Sequence, residues 1–304
     1  MAKYVVKRVL LAILTIFIVS AITFFSMYAI PGGPFSSEKA LSPAVMAALE
    51  ARYGLDQPVP VQYVNYMSRL LFHHDFGVSL KTGRDVFETI NTGMQVSAKL
   101  GLSAAAVAIA FGLVLGSVAA LNRGKVIDRI IVFFTTLATS APSFVLATLL
   151  LLVFSIQLGW VPAWSAQNPN YILPVISLSM YPMAYITRLT KTSMLDALNQ
   201  DYIRTARAKG VASYKVIFKH ALRNALIPVV TYVGPMVAFI ITGSMVVETI
   251  FSTGGLGSYF VTSINNRDYT LIMGVTIFLA ILMVTANLIT DIVYKLIDPR
   301  ITFD

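Results

Sequence analysis

The sequence predicts an all-α polytopic membrane protein with six transmembrane helices and both termini on the cytoplasmic side. Three observations lead there. Hydrophobic residues make up 57% of the chain and charged residues only 12%, with a mean hydropathy of +0.75, a balance outside the range of soluble domains. Six apolar runs are long enough, straight or bent, to cross about 30 Å of hydrocarbon. Most lysines and arginines gather in alternate connections, and positively charged short loops stay inside. The formal charge of +9 would suit a nucleic-acid partner, but its carriers lie between membrane spans, which argues against that class.

Taken in order, Lys3, Lys7 and Arg8 precede the uncharged run Val9 to Ile30. That run exceeds a secretory signal core and lacks a small-residue cleavage site, so it reads as a retained first helix. Pro31, Gly32, Gly33 and Pro34 stop it. Residues 31–98 form the one sizeable extracytoplasmic segment. Its weak helical patterns at Pro43 to Tyr53 and Val61 to Phe72 suit short helices lying on the outer face. Without disulfides, an independent core would be marginal at that length. The pair His73-His74 before Asp75 offers too few directions for a tetrahedral metal site, and a loop role is the expectation. The chain has no cysteine, which excludes disulfides, thiolate metal sites and a cysteine nucleophile.

The core, residues 99–296, supplies five further spans. Leu100 to Leu121 is rich in Ala, Gly and Ser, which predicts close burial in a helix bundle. Ile130 to Val161 is too long for one straight crossing, and Pro142 divides it into an approach ending near Ser140 and a crossing from Phe144 to Leu158. Trp160 and Trp164 mark the opposite interface. Ile172 to Thr187 is a fourth span interrupted by Pro174 and Pro182, and a fifth runs from about Ile227 to Val247. A glycine-rich turn, Ser252 to Gly257, leads through a re-entrant or interfacial piece to the sixth, Tyr269 to Thr290. Residues 297–304 form a cytoplasmic tail.

Between the fourth and fifth spans lies the only long charged block, Asp201 to Pro228. Arg204, Arg207, Lys209, Lys215, Lys219 and Arg223 face a single carboxylate, Asp201. The block divides into two short helices. Asp201 suits the N-cap of the first and Gly210 its closing glycine, while Ser213 suits the cap of the second. Tyr214, Ile217, Phe218, Ala221 and Leu222 follow helical spacing as one apolar face, and Pro228 suits the first turn of the next span. Two readings stay open on physics alone: a basic amphipathic segment on the membrane surface, or a docking element for another protein. Small residues at Ala206, Ala208 and Gly210 favour docking, because they let another surface approach the backbone.

The chain has no G-x-x-x-x-G-K-[ST] phosphate loop and no catalytic constellation at recognisable spacing. Ionisable groups inside the spans are nearly absent. Glu248 and Asp291 lie at span ends, and Asn287 is the main strongly polar residue within the sixth. Glu248 and Asp291 read first as interfacial anchors and second as pathway or gate residues alongside Asn287. An ion-coupled secondary carrier, the alternative reading, generally needs intramembrane carboxylates or broken helices. Their scarcity points to a pore whose energy comes from a separate motor.

The block Asp201 to Pro228 resembles the "EAA" loop of permease subunits in bacterial ABC importers. Arg204, Thr205 and Ala206 occupy the Glu-Ala-Ala positions, Gly210 matches the glycine, and Leu222-Arg223 stands for the closing Leu-Pro. Further matches run along nearly the whole chain: Pro31 to Phe35, Gly54 to Pro58, Asp75-Phe76-Gly77, Val96 to Gly101, Ala141 to Phe144, Glu248 to Gly257, Asn266 to Tyr269 and Asp298-Pro299-Arg300. Gly254 stands where that family often carries proline. The pattern is similar to oligopeptide and dipeptide importer permeases, and within them to the first of two homologous permease subunits.

The resemblance implies a type I importer permease fold, a bacterial inner-membrane location and a non-enzymatic role. It implies partners as well: a second permease, two cytoplasmic ATPases that hold the ATP and Mg, an extracytoplasmic peptide-binding protein and membrane lipid. No cofactor is implied for the chain itself. Arg204, Thr205, Ala206, Gly210, His220, Leu222 and Arg223 become the expected ATPase-coupling set.

Overall fold

The computed structural model describes residues 2–35 and 43–297, except for the side chains of residues 2–5, 43 and 291–297. The Asp298-Pro299-Arg300 match lies outside these residues. Among the described residues thirteen α-helices and two π segments follow one another and no strand occurs, only an antiparallel bridge between Val78 and Asp85. Among the same residues five helices are long and apolar enough to cross a membrane, or six when one bent pair counts as a single span.

Helix α1 (Ala2–Ala29) is mostly exposed apolar surface, as a lipid-facing helix should be. Its Phe24 and Met27 pack with Tyr63 and Tyr66 of α3 (Val59–His73) and with Tyr269, Met273 and Ile277 of α13 (Tyr269–Ile297). Among the described residues α2 (Pro43–Tyr53) has no buried side chain, and α3 packs against two membrane helices rather than forming a core of its own. His74 closes α3 in the left-handed conformation, φ 54°, with its N–H on the Arg69 carbonyl, and both histidines are exposed.

Helix α4 (Val86–Leu121) is 36 residues, about 54 Å at 1.5 Å per residue, and so projects beyond any bilayer core. Its small residues do what small residues in membranes do. A Cβ on Gly112 would lie 2.6 Å from Ile186, and one on Gly116 2.6 Å from the Thr187 carbonyl, both on α7 (Ile172–Leu198). Ala104, Ala105 and Ala108 are fully buried against α7 and α10 (Arg223–Ile241). This α4–α7 contact is the most extensive in the fold.

The third span breaks where the sequence predicts. Helix α5 (Val126–Ser140) and α6 (Ser143–Leu150, continued by π turns over Leu151–Gln157) meet at 107°. Ala141, before Pro142, is extended at ψ 134°, as the proline ring demands of its predecessor.

One expectation fails here. Pro182 does not interrupt α7; the helix runs through it and on past Thr187 to Leu198, because packing against α4 holds the turn that lacks one N–H. The fifth span covers Ile227 to Val247 as expected, within a longer run, Ser213–Ile250. It carries a local break: helix α10 ends at Ile241, Gly243 takes φ 94°, and α11 (Met245–Ile250) resumes the helix. The piece before α13, expected to be re-entrant or interfacial, is the helix α12 (Leu256–Asn265).

Candidate functional site

The charged block forms a helical hairpin. Helix α8 (Asp201–Ala208) is followed by α9 (Ser213–Lys215) and a π segment, Val216–Leu222, that runs straight into α10. Gly210 has φ 74°; its N–H bonds the Arg207 carbonyl at 3.0 Å, and the Val211 N–H reaches back to Ala206 at 3.1 Å. That pair of bonds is a Schellman closure, which requires the left-handed residue that glycine supplies. The capping expectations shift by one residue. Gln200 and Ala212 are the N-caps, while Asp201 and Ser213 occupy the first helical positions without a side-chain capping bond. Asp201 still favours that helix end electrostatically.

The π segment changes which face is buried. Hydrogen bonds between residues five apart bring Val216 and Ala221 onto one side, and they pack with Ile203, Ala206, Met194 and Ala120. Tyr214 and Phe218, expected on the inner face, are instead 61% and 64% exposed. Ala206 faces inward, so its smallness serves the hairpin's own packing rather than the approach of another surface. Pro228 lies inside α10, not in its first turn, because the helix already begins at Arg223.

What remains outside is one cationic and aromatic surface. Arg204, Arg207, Lys209, Lys215, Lys219 and Arg223 are all exposed, with Tyr214 and Phe218 between them. The Arg204–Asp201 contact of 3.5 Å is almost fully exposed and contributes little. Of the expected coupling set, Arg204, Thr205, Gly210 and Arg223 lie on the surface, His220 and Leu222 are half-buried, and Ala206 is buried. Asn224 donates to the Tyr202 hydroxyl at 2.9 Å and ties α8 to the start of α10.

A second site lies toward the other end of α4. Glu248 is 0% exposed, which rules out an interfacial anchor. One carboxylate oxygen accepts from the Ser97 hydroxyl at 2.7 Å and the Ser244 N–H at 3.2 Å. The other accepts from Gly257 at 2.7 Å and Ser258 at 3.2 Å, the first turn of α12. Ser97 in turn accepts from the Leu256 N–H at 2.8 Å. Two side chains thus satisfy the free amides of α12 and bind it to α4 and α11.

The glycines of this stretch follow from that knot. A Cβ on Gly255 would lie 2.5 Å from both Glu248 and Ser97, and one on Gly243 2.9 Å from Glu248. Gly254 has φ 69°, a conformation closed to proline.

Sequence reasoning missed a third cluster. Asp128 on α5 pairs with Lys191 on α7 at 2.5 Å and accepts from the Gly124 N–H at 3.0 Å, while Arg188 reaches the Thr135 carbonyl at 2.9 Å. Asp128 standing alone among Arg123, Lys125 and Arg129 was the available signal. Asn287 is exposed on α13, and the side chain of Asp291 lies outside the described residues.

Residues 112–303 match the family described as the binding-protein-dependent transport system inner membrane component, and residues 1–100 match its N-terminal companion. The chain belongs to this family. This transport component is 45% identical over 303 residues to the dipeptide transport system permease protein DppB of Bacillus subtilis, covering 99% of this chain and 98% of that one. It is 44% identical over 307 residues to the oligopeptide transport system permease protein OppB of Haemophilus influenzae, with both chains fully covered. A solved structure of the MetNI methionine ABC transporter superposes with a TM-score of 0.56 at 17% identity, over 69% of this chain and 97% of that one. That last likeness speaks to fold alone. The transport component is a multi-pass membrane protein and not itself an enzyme.

Proposed function

We propose that this chain forms half of the membrane pathway of an ATP-driven importer of oligopeptides or dipeptides. In this reading it pairs with a second homologous permease. Two cytoplasmic ATPases hold the ATP and Mg, and a binding protein delivers peptide outside. Both termini face the cytoplasm across the bacterial inner membrane. The observation that carries the reading is identity above 40% along the full length to peptide permeases.

The geometry suits the task. The hairpin offers an ATPase six cations and two aromatic side chains on a surface whose inner face is locked to α7 and α4. Because α9 runs without a break into α10, a push on the hairpin moves α10 as one body. Gly243 ends that rigid segment, and the Glu248–Ser97 knot beyond it transmits the motion to α12. Glu248 therefore positions a gate rather than touching peptide, while Asn287, polar and exposed on a membrane helix, faces the pathway or the second permease.

The test is reconstitution. With all partners in proteoliposomes, peptide accumulation should require ATP and the binding protein. Accumulation by this chain alone, driven by an ion gradient without nucleotide, would establish the secondary-carrier reading instead.

A further inference from the structure

At the end of α4 remote from the hairpin lies a cavity of about 530 Å³. Its walls are the turn after Ser79, the first turns of α4 and one face of α12. We propose that it is a receiving site for peptide main chain, a reading that rests on the peptide-import function proposed above. The volume suits a small ligand or a short stretch of an extended one.

The lining decides the ligand class. Lys81 and Arg84 stand on one wall and Glu88 on α4, so charges of both signs are present, as the two ends of a zwitterion need. A free phosphate or an anionic lipid headgroup would call for cations alone. Thr89 and Thr92 donate their hydroxyl protons to the carbonyls of Asp85 and Glu88, both at 2.9 Å, which leaves oxygen lone pairs free to accept peptide N–H groups. Asn266 on α12 can both donate and accept.

Such a surface reads backbone and ignores side chains, which suits varied peptides. Hydrogen bonds exchanged with water on both sides are weak, as a transit site needs if cargo is to leave again. Asp268 is not part of the recognition. Buried, it accepts from Ser79 and from the Leu80 N–H at 3.1 Å, and so holds the turn carrying Lys81 and Arg84 against α12. The cavity also borders α12, the element held by the Glu248 knot, so the same motion that shifts α12 reshapes the site.

The experiment uses the complete importer with a photoreactive residue in place of Thr92 or Asn266 and a radiolabelled tripeptide. During ATP turnover, label should attach at both positions and not at a control position, Phe133, on the exposed face of α5. In parallel, Asn266→Ala should raise the peptide concentration for half-maximal uptake about fivefold. Active uptake with no label at either position, an unchanged half-maximal concentration, or attachment to the binding protein alone would each overturn the proposal. Wild-type complex that fails to accumulate peptide would instead sink the peptide-import reading, and this inference with it.

Discussion

Gly210 and Glu248 show how a single residue sets the behaviour of this chain. At φ 74° Gly210 closes α8, and open space surrounds its Cβ position. Gly210→Ala should therefore act through backbone strain alone, about 1–2 kcal/mol. ATP hydrolysis stimulated by the binding protein should fall, and Gly210→Trp should abolish it; a reconstituted Trp variant with intact stimulation and uptake would refute the hairpin's role. Glu248→Gln exchanges an acceptor for a donor facing N–H groups, which costs about 1–3 kcal/mol for each partner left unpaired. Thermal unfolding of the purified complex should drop, and ATPase stimulation by the binding protein should weaken with it. A variant as stable and as tightly coupled as wild type would show that the knot transmits nothing.

At the scale of elements, the α4–α7 pair and the α5–α7 clamp carry the structure. Gly116→Ala would place a methyl 2.6 Å from backbone oxygen, so the helices must separate, at about 1–3 kcal/mol. Assembly yield with the second permease, read by size-exclusion chromatography, should fall accordingly. Asp128→Asn removes the ion pair that pins the end of α5 to Lys191, whose side chains are only 9% and 21% exposed. The expected loss is about 1–3 kcal/mol, because charged hydrogen-bond partners are left behind. If restoring Asp128 while changing Lys191→Met destabilises equally, the pair rather than either residue is responsible.

For the whole molecule the decisive quantity is direction across the membrane. The chain contains no cysteine, so single introduced thiols report sidedness without background. Lys209→Cys on the hairpin should react with an impermeant maleimide only in inverted vesicles, and Arg84→Cys only in intact cells. The opposite result would reverse the topology and with it the sense of transport. The 54 Å length of α4 gives the measurement its contrast, since its two ends lie on opposite sides of any bilayer.

Residue types and their local order by themselves determined the membrane class, the break at Pro142 and the hairpin closed by Gly210. Each depends on local chemistry: hydropathy, a proline that dictates its predecessor, or a glycine that alone reaches positive φ. Tertiary structure decided the rest. Whether Pro182 breaks a helix depends on what packs against it. The hairpin's buried face is set by a π register that no α-helical spacing reveals. Glu248 looked like a surface anchor because its partners, Ser97 and the amides of Gly257 and Ser258, come from other elements, and only the fold brings those donors to one buried carboxylate.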